Sequence, residues 1–136
     1  MAKTSELTDG DYAMLADFRH ELRQFQAFSE DQAAGFGLTP QQHQALLAIR
    51  GSPGASLTVG ALAQRLMLKP HSATGLVNRL VALGLAERRS SPDDRRHAIL
   101  QLTPRAQQLL AKLSSTHRQE LARLGPMLIG LLEQLK

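Results

Sequence analysis

Hydrophobic and polar residues alternate with helical spacing over most of this chain. Between about Asp11 and Phe28, apolar side chains recur every three or four residues, which predicts an amphipathic helix. Its apolar stripe consists of Tyr12, Leu15, Phe18, Leu22 and Phe25. Asp9 or Asp11 is expected to cap this helix, and Gly35 and Gly37 to close the segment.

A second helix is predicted in the stretch LTPQQHQALLAIR. Thr39 is a good N-cap, Pro40 suits the first helical position, and Gln42 completes a capping box. The Gly-Ser-Pro-Gly sequence at 51–54 is expected to end this helix in a loop.

The stretch LTVGALAQRLMLKPHSATGLVNRLVALG predicts two short helices joined by a tight turn. Thr58 can cap the first, whose inward side consists of Val59, Leu62, Ala63 and Leu66. Lys69 or Pro70 opens the second, and Gly84 is expected to end it in a left-handed conformation. The inward side of this second helix is expected to be Leu76, Leu80 and Leu83. Such a pair is a helix-turn-helix.

A hairpin and a long helix are predicted next. LAERRS and HAILQLT have the alternation of strands, with the turn SPDDRR between them. Thr103 and Pro104 then open a helix through about Leu124, and Gly125-Pro126 is expected to break it before a last amphipathic piece. The chain is therefore predicted to be mainly α with a small β-hairpin, in one domain over 1–136.

Composition narrows the class of protein. Apolar residues make up 43% of the chain and aromatic residues 4%, which is ordinary for a helical globular domain. Cysteine is absent, so disulfides and thiolate zinc sites are excluded. We find no apolar run of membrane-spanning length and no signal-peptide core, and we expect a cytoplasmic protein without a membrane partner.

Positive charge is concentrated in the second half of the chain. Residues 1–60 carry 4 basic and 7 acidic side chains, whereas residues 61–104 carry 7 basic and 3 acidic ones. Four of these basic residues lie on the two arms of the predicted hairpin loop: Arg88, Arg89, Arg95 and Arg96. Like charges repel at this spacing, and a polyanion such as DNA relieves the repulsion. The alternative is a solvated, soluble turn.

A helix-turn-helix followed by a hairpin is the winged-helix arrangement. Its second helix fits the DNA major groove, and the hairpin loop reaches the neighbouring backbone or minor groove. The outward side of the predicted helix carries groups that suit base edges and phosphates. They are His71, Ser72, Thr74, Gly75, Asn78 and Arg79. Lys69 and His71 add positive charge at the helix N-terminus, which attracts anions.

These segments together resemble the MarR family of bacterial winged helix-turn-helix regulators, from about Leu38 to Leu109. The likeness depends on LTPQQHQALLAI, on ALAQRL followed by SATGLVNRLVALGLAERR, and above all on SPDDRRHAILQLT. That last stretch is similar to the family's wing signature. Two positions depart from the family pattern, which often has glycine at both: Met67, in the turn of the helix-turn-helix, and Ala106, three residues after Thr103.

The resemblance implies a sequence-specific DNA-binding transcriptional regulator, a ligand-responsive repressor that binds a pseudo-palindromic operator as a homodimer. The winged helix-turn-helix would cover 38–104, and the helical parts 8–34 and 104–136 would form the dimer. The recognition helix over 70–83 would enter the major groove of double-stranded DNA, and the wing over 88–98 would lie at the minor groove.

Individual DNA contacts also follow from the resemblance. Arg96 matches the arginine that enters the minor groove, Asp94 the residue that orients it, and Arg79 a phosphate clamp. The complete set expected at DNA is Lys69, His71, Ser72, Thr74, Gly75, Asn78, Arg79, Arg88, Arg89, Asp94, Arg95 and Arg96. An alternative for Arg79 and Arg88 is an internal salt bridge to Glu87 or Asp93.

Leucines in the last part of the chain indicate a dimer independently of the resemblance. A monomer of this size could hardly cover them all, although an intramolecular core is the alternative. They are Leu109, Leu110, Leu113, Leu121, Leu124, Leu128, Leu131 and Leu132.

Many members of the family that this chain resembles are released from DNA by small aromatic or phenolic ligands bound beside the dimer helices. The corresponding candidates here are Phe18, Leu22, Phe25, His43 and Leu47. Ordinary core packing is the alternative for these residues. A zinc site at His20, His43 and His117 is disfavoured, because no pair has the i, i+4 spacing and no cysteine is present. We expect no metal and no cofactor.

Two rival functions agree less well with the sequence. An enzyme is disfavoured because the chain has no nucleophile elbow, phosphate-binding glycine loop or metal motif. A winged helix that only binds other proteins, as an architectural subunit, is also disfavoured. Contact with other proteins does not require four arginines around one loop.

Arg96→Ala is predicted to weaken DNA binding strongly while the dimer and the fold stay intact, because it removes the charge expected in the minor groove. Fluorescence anisotropy with a DNA fragment selected from the genome measures the affinity, and gel filtration checks assembly. An unchanged affinity would show that the wing does not touch DNA.

Overall fold

The computed structural model describes residues 6–90 and 98–134. Its elements are α1 (Asp9–Gly35), α2 (Pro40–Arg50), a short 3₁₀ turn (Pro53–Ala55), β1 (Ser56–Thr58), α3 (Val59–Leu66), α4 (Pro70–Ala82), β2 (Ala86–Ser90), β3 (Ala98–Leu102) and α5 (Pro104–Glu133). The predicted class, mainly α with a small sheet, is confirmed. The predicted wing tip, with Asp94, Arg95 and Arg96, lies outside the described residues.

The first helix is longer than its sequence pattern predicts. It begins at a Thr8 cap, where the Asp11 N–H donates to Thr8 Oγ1 at 3.1 Å and the Thr8 N–H donates to Asp11 Oδ2 at 2.9 Å. The prediction of Asp9 or Asp11 as the cap was therefore wrong, and Asp11 is the reciprocal partner of the capping box. The predicted end at Phe28 was also wrong, because α1 continues to Gly35. This last part of the helix is held by Ala33, which is buried in the core.

The second helix forms as predicted and lies at the centre of the core. Gln42 N–H donates to Thr39 Oγ1 at 3.1 Å, and Thr39 N–H donates to Gln42 Oε1 at 3.0 Å. Its side chains Leu46 and Ile49 are fully buried. Around them pack Leu62, Val77, Leu80, Leu100, Ala106, Leu110 and Leu113. Burying one Leu or Ile contributes about 1.5–3 kcal/mol, so this cluster fixes how the helices and the sheet meet.

Three helices end in the same hydrogen-bonded motif, with a residue in the left-handed conformation. These residues are Gly37 (φ 78°), Met67 (φ 54°) and Gly84 (φ 72°). After α4, for example, the Gly84 N–H donates to the Val81 carbonyl and the Leu85 N–H to the Leu80 carbonyl. Met67 thus adopts the conformation for which glycine is best suited. The turn between α3 and α4 has the same hydrogen bonds as the two helix ends that carry glycine.

The sheet has three antiparallel strands in the order β1-β3-β2. The predicted hairpin is confirmed, with Ala86 opposite Leu102 and Ser90 opposite Ala98. The strand β1, which pairs with Ile99 to Gln101, was not predicted. Three residues are too few to display strand alternation, so the hydrogen bonds to β3 define this strand.

Two predictions about helix ends were wrong. Leu83, expected inside, is 45% exposed, because it is the C-cap of α4 and lies beyond the buried turn of the helix. The expected break at Gly125-Pro126 does not occur, and α5 runs continuously to Glu133. Pro126 has no N–H and cannot donate a hydrogen bond to the carbonyl of Ala122. Because Ala122 is exposed, water can donate that hydrogen bond instead.

The eight leucines of α5 divide into three groups. Leu110, Leu113 and Leu124 are buried within the chain, so they belong to the intramolecular core that was the alternative for this stretch. Leu109, Leu128 and Leu131 are half-buried, and Leu121 and Leu132 remain about half exposed. None of the helices in the described ranges is long and apolar enough to cross a membrane.

Met67→Gly is expected to raise the free energy of unfolding by about 0.5–1 kcal/mol, because glycine adopts positive φ without a steric cost. Gly84→Ala is the matched opposite change and should lower it by about 1 kcal/mol. A Cβ at Gly84 meets only Arg105 Nη1, at 3.7 Å, so the backbone alone causes this strain. Urea unfolding measures both, and a shift of the same sign in both variants would contradict the explanation.

Candidate nucleic-acid interface

One side of α4 is buried and the opposite side is polar and open to solvent. Ala73, Leu76, Val77 and Leu80 face the core. The exposed side chains are those predicted from the sequence: His71, Ser72, Thr74, Asn78 and Arg79. Gly75 lies between the two sides and is half-buried, and Lys69 is the exposed N-cap residue. We call this exposed side, residues 69–79, the α4 outer surface.

The hydroxyl of Thr74 is partly committed within the helix. It donates to the Pro70 carbonyl at 3.1 Å. Its proton is therefore engaged, while the lone pairs of the oxygen can still accept a hydrogen bond. Thr74 is consequently suited to an external donor, such as the amino group of a base.

A hydrogen bond joins the hairpin to the α4 outer surface. Arg88 Nη2 donates to Asn78 Oδ1, so β2 and α4 are linked directly. The Asn78 amide nitrogen can still donate to another acceptor. Glu87 pairs with Arg89 at 3.1 Å and not with Arg88, so the alternative of an Arg88–Glu87 salt bridge was wrong. The other alternative partner, Asp93, lies outside the described residues. Both partners of that pair are largely exposed, and such pairs contribute little stability.

Arg88 and Arg89 lie on opposite faces of the hairpin, because side chains alternate along a strand. Glu87 and Arg89 share one face of the hairpin. Arg88 lies on the other face, from which it reaches Asn78 on α4. The structure therefore brings Arg88, but not Arg89, onto the α4 outer surface.

The beginning of α5 holds the end of α4 through the side chain of Thr103. Thr103 Oγ1 accepts from the Ala106 N–H at 3.2 Å, as an N-cap does, and donates to the Gly84 carbonyl at 2.7 Å. Arg105 Nη1 donates to the Leu83 carbonyl at 2.8 Å. Sequence reasoning identified Thr103 as a cap, but it missed this second role because nothing local indicates the distant carbonyl.

A cavity of about 360 Å³ lies between α1, α2 and α5. Three of the predicted effector residues line it: Phe25, His43 and Leu47. The other lining residues are Ser29, Gln44, Ser114, His117, Arg118 and Leu121. The predicted candidates Phe18 and Leu22 are not among them. His117 and Arg118 were missed as cavity residues, since only the packing of α5 on α1 brings them here.

His117 is fixed by two hydrogen bonds. Its Nδ1 lies 2.7 Å from the Leu113 carbonyl and its Nε2 lies 2.7 Å from Ser29 Oγ. A carbonyl can only accept, so Nδ1 carries the proton. In the neutral ring, Nε2 therefore accepts from the Ser29 hydroxyl. The edges of Phe25 and Phe28 complete the surroundings, with ring centroids 5.9 and 5.5 Å from that of His117.

His43 lies against this ring. The two imidazole centroids are 4.9 Å apart, and His43 is only 3% exposed, with a buried Nδ1 that has no hydrogen-bond partner. Burial, and secondarily the charge of His117, lower the pKa of His43 from its ordinary value. His20 is exposed on α1 and does not line the cavity. Within the described ranges no cluster of three His, Asp or Glu side chains could hold a metal ion.

Comparisons with known proteins agree with this architecture. A family model described as the MarR family matches residues 36–97. The chain is 34% identical, over 142 residues, to a protein named as a transcriptional regulatory protein for the hcr operon of Thauera aromatica, and the match covers 96% of this chain and 84% of that protein.

Solved structures have the same fold. AbsC, a MarR family transcriptional regulator from Streptomyces coelicolor, superposes with a TM-score of 0.72 at 22% identity, over 88% of this chain and 81% of AbsC. A mutant of MarR from E. coli complexed with operator DNA superposes with a TM-score of 0.68 at 20% identity, over 96% of both chains.

The described helices and three-stranded sheet therefore define a winged helix-turn-helix protein. The chain belongs to the MarR family of transcriptional regulators. Members of this family are regulators and not enzymes.

Thr103→Ala is expected to lower the free energy of unfolding by about 2 kcal/mol, because it removes both the helix cap and the donor to the Gly84 carbonyl. Thr103→Ser retains the hydroxyl and should change it by less than about 0.5 kcal/mol. Denaturant unfolding measures both variants. An equal loss in the serine variant would mean that the methyl group, and not the hydroxyl, stabilises this junction.

Proposed function

We propose that this MarR-family regulator binds double-stranded DNA as a homodimer. In this proposal α4 enters the major groove and the hairpin lies at the minor groove of a pseudo-palindromic operator. The protein represses transcription until a small aromatic or phenolic ligand occupies the cavity between α1, α2 and α5. The observation that carries the proposal is the Arg88–Asn78 hydrogen bond, because it makes the hairpin and the α4 outer surface one continuous polar face.

The chemistry of the α4 outer surface suits a DNA groove. Ser72, Thr74 and Asn78 are short polar side chains that can reach base edges, and Gly75 permits close approach of the backbone. Arg79 and Lys69 are exposed cations at the positions where the phosphate backbone would pass. A MarR relative in complex with operator DNA has the same fold, which supports this assignment.

The wing tip completes the DNA contact in this proposal. Arg96 enters the minor groove, where negative potential is concentrated, and Asp94 orients its guanidinium group. Arg95 binds the backbone nearby, and Arg88 provides the contact at the base of the wing. Arg89 acts on the other face of the hairpin and contributes mainly long-range attraction.

Exposed apolar residues on α1, on α5 and just before α1 support a homodimer. A group of large apolar side chains, each at least two-fifths exposed, would be unfavourable in a lone chain. They are Leu7, Tyr12, Leu15, Leu22, Leu121, Met127, Ile129 and Leu132. A two-fold dimer through these helices presents two copies of α4 to one face of DNA. Its half-sites would be about one helical turn apart, roughly 34–36 Å.

The cavity supports ligand-responsive repression. It has largely apolar walls with a few polar groups from Gln44, Ser114 and Arg118, which is typical of sites for small molecules. His43 and Phe25 line the cavity and would provide ring surfaces for an aromatic ligand. A ligand here would touch α2 of the winged helix and α5 of the dimer helices together, and could change the distance between the two α4 helices.

Selection of bound fragments from sheared genomic DNA tests the proposal most directly. We expect enriched fragments that share two inverted half-sites about one helical turn apart. Retention of no fragment, even at low salt, would favour a winged helix used only for contact with other proteins.

Arg88→Ala is expected to weaken binding to such a fragment by about fivefold to 100-fold, because it removes a cation from the continuous face. The slope of log affinity against log salt should become shallower by about 2, since a dimer loses two phosphate contacts. The control is Arg123→Ala, which removes an exposed arginine that pairs with Glu120 on α5. Equal losses in the two variants would contradict a local contact at the hairpin.

A further inference from the structure

The histidine pair is a contact between α2 and α5, with ring centroids 4.9 Å apart. His43 lies on α2, in the core of the winged helix, and His117 lies on α5, beyond the winged helix. Through Ser29, His117 is bonded to α1 as well. The pair is therefore a contact between the DNA-binding part and the helices proposed to form the dimer.

We propose that His43 and His117 form a proton-responsive contact, which holds α2 against α1 and α5 when both rings are neutral and opens in acid, so that the protein releases DNA. Only the release of DNA rests on the proposed function. The opening of the contact is a property of the folded chain by itself.

The hydrogen bonds explain why the neutral state is the packed one. His117 already uses both nitrogens, and its Nε2 accepts the Ser29 proton. His43 has a buried Nδ1 without any partner. A charged imidazole needs an acceptor for each of its two N–H groups, and the buried side of His43 supplies none. Protonated His43 must therefore leave its position to reach water, or remain there at a considerable cost in free energy.

No carboxylate compensates the added charge within the cavity. The only charged side chain among its lining residues is Arg118, which is itself a cation. Glu30 and Arg65 line the adjoining cavity between α1, α2 and α3. Glu21 lies on α1, where its charge acts on Arg123. Two protonated rings with centroids 4.9 Å apart would therefore repel each other beside a third positive group.

The direction of the pH response follows from burial. Burial first, and then the charge of His117, lower the pKa of His43 in the folded chain. An opened or unfolded chain binds this proton more readily, so acid favours the opened state. The contact contributes its full stability above the ordinary histidine pKa of about 6.5, and loses it as the pH falls through the lowered value.

The first test follows the histidine ring protons of the unaltered protein by NMR between about pH 8 and pH 5. We expect the His43 signals to titrate below the ordinary histidine pKa of about 6.5, and the His117 ring signals to change in the same step because its neighbour leaves. Amide hydrogen exchange in α2 should accelerate over the same range. A His43 titration that leaves the His117 signals and the exchange unchanged would overturn the proposal.

The second test compares DNA affinity at about pH 7.5 and about pH 5.5 in three proteins. The unaltered chain and the His20→Gln control should lose about threefold to tenfold in affinity relative to His43→Gln, which cannot take up the proton. Any other effect of pH on the DNA contact is common to the three proteins and cancels in the comparison.

The outcomes distinguish a failure of the histidine contact from a failure of the proposed DNA-binding function. An equal acid response in His43→Gln and the unaltered chain would refute the contact as the sensor. Absence of DNA binding at every pH would count against the proposed function, while the NMR titration still decides whether the pair opens. Should His43→Gln fail to fold at about pH 7.5, the titration and the exchange of the unaltered protein decide alone.

Discussion

The hydroxyl of Thr103 lies at the junction between the end of α4, the end of β3 and the beginning of α5. It accepts from the first turn of α5 and donates to the carbonyl of Gly84. Gly84 can present that carbonyl only because it adopts a positive φ. The position of β2 beside α4, and with it the Arg88–Asn78 hydrogen bond, depends on this junction. The hydrogen bonds of Thr103 that connect α4 with α5 thus also position the residues of the candidate interface.

The contacts of α2 are of two kinds. Leu46, Ile49 and the surrounding cluster bury the inner sides of α2, α3, α4 and the sheet, together with Ala33 near the end of α1 and the first turns of α5. Farther from this cluster, the contact of α2 with α1 and α5 also includes a cavity and a pair of imidazoles. A ligand or a proton can alter such a contact with much less free energy than repacking of the core requires.

Much of this fold could be predicted from the sequence, because its signals are local. Thr39, Pro40 and Gln42 mark the start of α2, and the alternation around the SPDDRR turn predicts the hairpin. The strand β1 and the continuous α5 could not be predicted, since both depend on a partner or on solvent rather than on sequence pattern. The outer surface of α4 followed from helical spacing, but Arg88 and Arg89 could not be assigned to faces before the register was known. His117 joined the cavity only through the packing of two distant helices.

The strand order has one more consequence, for solubility. Since β3 is central, β2 is an edge strand with unpaired backbone groups along one side. Its exposed side chains are Glu87, Arg88, Arg89 and Ser90. Charges on such an edge discourage a second molecule from adding a strand there and starting an aggregate. Substitution of these arginines by uncharged residues would therefore increase the tendency of the protein to aggregate during storage.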